Sequence, residues 1–379
     1  MKTRHLLLLS VRPLLTFMLV LTSTASCTLI NEISIDASSI DRSNTQYKIL
    51  IKKRMYTEYL FDFVTTQDQL ILADMGEVEI FDLKTGASIL NRKVFEDWVE
   101  SVHITKDQTR LYLFTQNNMQ LWDTQDWLLL KALHEDKHAE KITAFSKDES
   151  LLFFASQLWS TENFESIYDI GNSAALTGTA FSPDNQYFVD TDHHFGMSVI
   201  DIKNHEWTGI SYLETGFSMA DFRDNESFFA GYGARIDLDR GGYFAKALGV
   251  FSAIKKDQLE SFNPHEKITC WTHAPGYGVL ASLYDGDIYL LDDNLDIQFK
   301  WHMDDFARSC TLAKPGEIWL GGEKTGLYRA DLKNRRITHE YQTEGPIYTL
   351  KISDDGRYIG FVEQPTAEQV ITVLSPVTR

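Results

Sequence analysis

The stretch "DTDHHFG", residues 190–196, concentrates Asp190, Asp192, His193 and His194, side chains that a divalent metal could take as ligands. Neighbours along an extended chain point to opposite faces, so His193 and His194 do not converge on one ion. The segment reads instead as a solvated loop between strands. "HEDKH" gives His134 and His138 the i,i+4 spacing of a helical metal pair, but it falls in what reads as a strand-connecting turn. "RIDLDRGGYFAKALG", residues 235–249, alternates acidic residues as a calcium loop does, yet Leu248 stands where the twelfth-position carboxylate is required. The sequence has no Gly-x-Ser-x-Gly elbow, no Walker loop and no Cys-x-x-Cys pair. The expectation is no catalytic residue, no metal and no cofactor.

Charge narrows the partners. Fifty-four acidic residues against 36 Lys and Arg give a formal net charge of -18. Binding to a phosphate backbone needs clustered cations, so no nucleic-acid partner is expected. A basic protein partner is compatible with this surface. Hydrophobic residues at 43% and aromatics at 12% supply a substantial core and exclude a disordered chain.

The N-terminus reads as a targeting segment. Lys2, Arg4 and His5 precede the short apolar run "LLTFMLVLT", the length of a signal-peptide core and too short to span a bilayer. "STASC" follows at once and ends on Cys27. Small residues before a Cys at this place resemble the lipobox of bacterial lipoproteins, with Thr24 where that family prefers Leu, Val or Ile. The resemblance implies a signal peptide over residues 1–26, an acylated Cys27, and a lipidated N-terminus and tether over residues 27–46. Thr28, not Asp, follows the Cys, which implies the outer membrane, facing the periplasm. The alternative is an ordinary secretory peptide and a soluble periplasmic or secreted protein. Two cysteines then remain, Cys270 and Cys310, 40 residues apart. A disulfide is open to them in an oxidising compartment, but two separate buried thiols are the preferred reading.

What positions any site is a repeated phrase. "AFSPDNQYFV" from Ala180, "AFSKDESLLFF" from Ala144 and "KISDDGRYIGFV" from Lys351 each read strand, polar turn, strand. Aligned on the Ser182 position, the series is Thr65, Thr105, Ser146, Ser182, Arg223, Thr272, Ala313 and Ser353, mostly 40 or 41 residues apart. A later strand in each unit often closes on Asp, at Asp82, Asp123, Asp201, Asp292 and Asp331. Four short strands per forty-odd residues is the period of a propeller blade, and sustained helical periodicity is absent. The fold class is therefore all-β: a single β-propeller over residues 47–379, most simply of eight four-stranded blades, with seven plus an irregular insert as the alternative. Only four residues follow Ser375, so "QYKILIKKRMY", residues 47–57, is expected to complete the last blade and close the ring. "MQLWD", with Trp122-Asp123, and the strand–turn–strand phrase resemble the WD-repeat family. Trp-Asp occurs once and the Gly-His pair of typical WD repeats is absent, so the Asp–His–Ser–Trp network of regular WD blades is not expected. "DLKTG", residues 82–86, resembles a turn of quinoprotein-like propellers but stands alone, without the Trp that follows it there.

The rhythm breaks between Arg223 and Thr272, an interval of 49 residues. Loops that exceed a repeat are where specific contacts are made. Asp237, Asp239, Arg240 and Tyr243 are the candidate partner-binding residues. The expected role is a lipid-anchored, periplasm-facing protein–protein interaction scaffold; eight-bladed lipoproteins of the outer-membrane protein assembly machinery are an architectural precedent. An immunity or inhibitor protein against a secreted toxin is one alternative. A propeller hydrolase or quinone-dependent dehydrogenase, needing a polar cluster in the channel, is the other.

Overall fold

The structure is a computed structural model that describes residues 41–42, 45–55, 60–135, 143–170, 176–192, 196–210, 216–237, 242–255, 257–324, 326–365 and 369–377. The chain divides into two units, residues 1–32 and 33–379, and every described residue belongs to the second.

Eight sheets follow one another around a ring, and among the described residues there is no helix. Blade 1 is a plain example: Leu60–Val64, Gln69–Asp74, Glu77–Asp82 and Ser88–Lys93 pair antiparallel in chain order. Blades 2 to 7 begin at Ser101, Ala144, Leu176, Gly216, Ile268 and Ala307. The last blade contains Ile347–Ile352, Ile359–Glu363 and Gln369–Pro376. Its fourth strand is Tyr47–Met55, antiparallel to Gln369–Pro376 with Tyr47 opposite Pro376 and Met55 opposite Gln369. The ring thus closes by joining the two ends of the propeller in one sheet, as expected.

One strand was not foreseen. Asp41–Arg42 pairs in parallel with Arg336–Tyr341, placing Asp41 beside Thr338 and Arg42 beside His339. It adds a fifth strand to blade 7 from within the segment read as a tether.

The core is distributed over the seams. Eight apolar clusters each join two consecutive blades. Between blades 4 and 5, Val189, Met197 and Val199 meet Phe217, Phe222, Phe228 and Phe251. The closing seam packs Phe61, Phe63, Leu70 and Leu72 of blade 1 against Tyr358, Val362, Ile371 and Val373 of blade 8. Each fully buried Phe contributes about 1.5–3 kcal/mol. The aromatic content is spent on holding blade to blade.

The repeated phrase is a turn with a fixed bonding scheme. Ser182 Oγ donates to Asp184 Oδ1 at 2.7 Å, and the same carboxylate accepts the Gln186 N–H at 3.1 Å. Ser182 Oγ in turn accepts the Tyr187 N–H at 2.9 Å. Thr105 with Asp107, Ser146 with Asp148 and Ser353 with Asp355 repeat it. The Asp that closes the third strand serves the next turn: Asp123 Oδ1 accepts the N–H groups of Gln125 and Asp126, both at 2.9 Å. Thr272 and Ala313 depart from the expected register. They lie inside the first strands Ile268–Ala274 and Ala307–Lys314, not in the turns. Those two blades turn instead on Pro275-Gly276 and Pro315-Gly316, whose glycines have φ of +81° and +80°. Pro followed by Gly is what a type II turn requires.

Candidate functional site

In a blade of four antiparallel strands, the first and third turns fall on one face of the ring. The second turn and the blade-to-blade connection fall on the other. The second strand of blade 5, Ser227–Asp237, is 11 residues long and outruns its sheet. Its end pairs with Gly242–Phe244 as a two-stranded ribbon, Ile236 opposite Tyr243 and Asp237 opposite Gly242. Ala245 then bridges to Ile268, whose N–H donates to the Ala245 carbonyl at 2.8 Å, fixing the ribbon's base on blade 6. Phe244 and Ala245 are buried there. Asp237 and Tyr243 therefore sit on the ribbon's two strands, on the second-turn face. Asp239 and Arg240 lie outside the described residues, as does Cys27.

Among the described residues, the other groups singled out in the sequence do not come together as a site. Asp190 and Asp192 belong to the strand Tyr187–Asp192, not to a loop. Asp190 is buried and accepts the Ser198 N–H at 3.1 Å, a contact between its own strand and the next. His134 ends the outer strand Leu129–His134, a correction to its reading as part of a turn. His138, His193 and His194 lie outside the described residues. Trp122 donates its indole N–H to Gln120 Oε1 at 3.0 Å, an arrangement of its own.

The first strands and their turns bring together ionisable groups that are far apart in the chain. Lys351 Nζ lies 3.1 Å from Asp62 Oδ2, joining blade 8 to blade 1. His103 Nε2 lies 3.0 Å from Glu149 Oε1, and the imidazole stacks on Phe145 at 3.9 Å between ring centroids. Burial holds the His103 imidazole below its ordinary pKa, against the opposing pull of Glu149. His103, Phe145 and Glu149 line a cleft of about 390 Å³ between blades 2 and 3. Across the blade 5–6 seam, buried His273 stands between Asp221 and Asp293, each carboxylate 3.7 Å from a different ring nitrogen. Desolvation on this wall pushes the Asp221 carboxyl up, and His273 partly offsets it. No motif announces these groups, because each cluster draws on two neighbouring repeats.

A further trio, His265, Asp285 and Asp287, places its ligand atoms within 4.8 Å of one another. Asp287 already receives Lys300 Nζ and His302 Nδ1, both at 2.9 Å. An ammonium thus occupies the place where a cation would be held. Cys270 and Cys310 overturn the preferred reading of two free thiols. They pair as a disulfide between the first strands of blades 6 and 7, their Cα atoms 6.0 Å apart. Their 40-residue spacing sets them at like positions in neighbouring blades, where the first strands run side by side.

The fold and its seams define an eight-bladed β-propeller. No family model matches the chain, and no curated protein matches it significantly. Solved structures do. The structure of U3-55K is similar over 87% of this chain and 98% of that one, with a TM-score of 0.52 and 12% identity. At that identity the likeness is one of fold alone.

Proposed function

We propose that this protein is a binding scaffold of a bacterial envelope, held at the membrane by a lipidated Cys27 and facing the periplasm. It binds a protein partner through the ribbon of blade 5. The observation that carries the reading is the ribbon itself. It is a second strand that outruns its sheet, with a return strand fastened to blade 6. A paired two-stranded extension is partly pre-organised, which limits the conformational entropy lost when a partner binds it. The acidic residues Asp237 and Asp239 of this segment of the sequence suit a basic partner, as does the net charge of -18. The Cys270–Cys310 pair supports export, since disulfides persist in oxidising compartments. The Ser-x-Asp turns support a divergent WD-like repeat.

The test is co-purification from cell envelopes of the wild-type protein and a variant with residues 238–241 replaced by a two-residue Asn-Gly turn. The reading expects a partner retained by the first and reduced at least about tenfold with the second, at unchanged thermal stability. Tenfold corresponds to about 1.4 kcal/mol, a modest loss for removing several contact residues at once. Equal recovery with both proteins would overturn it.

A further inference from the structure

We propose that the cleft between blades 2 and 3 binds a small carboxylate carrying an N–H or O–H on the adjacent carbon. It opens on the face opposite the ribbon and is independent of the scaffold reading. Ser101, His103, Lys106, Thr143, Phe145 and Lys147 supply its walls, with Glu149 behind the imidazole.

Glu149 has a structural explanation. Both its oxygens accept the Lys106 N–H, at 3.0 and 3.1 Å, and Oε1 also faces His103 Nε2. Equivalent residues of other blades make similar contacts with the preceding blade. That role does not account for the rest of the cleft. A carboxylate only accepts, so the imidazole proton resides on Nε2 and Nδ1 keeps its lone pair. Nδ1 has no hydrogen-bond partner among the described residues. Stacking on Phe145 holds the ring at 16° to that side chain, so the direction of the lone pair is set in advance. His103 is therefore a fixed, neutral acceptor waiting for a donor.

The charge of the cleft points to the other half of the ligand. In a chain of net charge -18, two ammonium-bearing side chains, Lys106 and Lys147, line this one cleft, and its single carboxylate is already engaged. Lys106 Nζ donates to the Lys147 carbonyl, while the Lys147 ammonium has no hydrogen bond or close ion pair among the described residues and feels only the more distant attraction of Asp221. Thr143 Oγ1 donates to Ser101 Oγ at 2.7 Å, which leaves the Ser101 hydroxyl proton free to donate. Cation and hydroxyl donor together suit a carboxylate, and the imidazole acceptor suits a neighbouring N–H or O–H. A volume of about 390 Å³ fits a ligand of small size. A free hydroxy acid has this chemistry, and so does the carboxyl end of a peptide.

Titration calorimetry of the purified protein with matched probes tests the proposal. N-acetylglycine is expected to bind saturably and about tenfold more tightly than N-acetylsarcosine, in which the N–H is methylated; losing one hydrogen bond to the partly exposed imidazole has about that effect. Lactate should surpass its O-methyl ether in the same way. Whichever of lactate and N-acetylglycine binds more tightly identifies the source as a hydroxy acid or a peptide end. Lys147→Met, at an exposed position, should weaken the better probe about tenfold without shifting the thermal melt. No saturable binding by either probe, equal affinity for the methylated partners, or indifference to Lys147→Met would each overturn the proposal.

Discussion

Asp68 shows how single side chains hold the ring shut. It lies three residues after Thr65 and has a φ of 53°, in the left-handed region. Its carboxylate receives Lys84 Nζ at 2.7 Å, the Tyr358 hydroxyl at 2.8 Å, and the Arg357 guanidinium from blade 8. Gln108, Glu149 and Asn185 occupy the same turn position, at φ of 58°, 60° and 59°, and each bonds to the preceding blade. Lys84, then Tyr358 and Arg357, hold the Asp68 carboxyl down to about 2 from 3.8, outweighing its desolvation. A depressed carboxylate pKa stabilises the fold above the unfolded value and ceases to do so as pH falls through the folded one. Asp68→Asn should therefore cost about 1.5–3 kcal/mol at neutral pH. In urea melts, the gap from wild type should close as pH falls from about 4 to about 2. Equal midpoints at pH 7 would contradict this role. The sequence showed the Ser and Thr of these turns because they recur in type. It hid the locks, because Asp, Gln, Glu and Asn share only a backbone conformation and a direction.

At the scale of elements, the period revealed most of the architecture. Apolar strands at steps of mostly 40 or 41 residues point to eight blades and to closure together, since a ring admits only whole blades. Thr272 and Ala313 were misplaced because blades 6 and 7 turn on Pro-Gly, which needs no Ser or Thr at the strand end. The disulfide was illegible for a related reason. A spacing of one repeat gives a like position in the next blade, but not how closely those positions approach. First strands converge toward the axis, and there Cys270 and Cys310 meet. Closing a 40-residue loop restricts the unfolded chain, so reduction should destabilise the protein by about 3–4 kcal/mol. Urea unfolding with and without dithiothreitol measures this directly. Coincident curves, with two titratable thiols in the untreated protein, would show that the pair is not formed.

For the whole molecule, the two faces of the ring differ in what they offer. One carries the short turns and the cleft at His103; the other carries the ribbon at Asp237 and Tyr243. The candidate loop was legible as a break in rhythm, 49 residues where 41 is usual, because an insertion shows against a regular period. The cleft was not legible, because His103, Lys147 and Glu149 acquire meaning only when two blades stand side by side. The central proposal is that a lipidated Cys27 anchors this protein at the membrane. Several acyl chains on one residue anchor firmly at about 0.8 kcal/mol per buried methylene. Metabolic labelling with palmitate, followed by membrane fractionation, compares the full-length wild-type protein with Cys27→Ala. A lipid-anchored scaffold predicts label and membrane association in the wild type and loss of both in the variant. An unlabelled wild-type protein, or a variant that stays equally membrane-bound, would contradict the account.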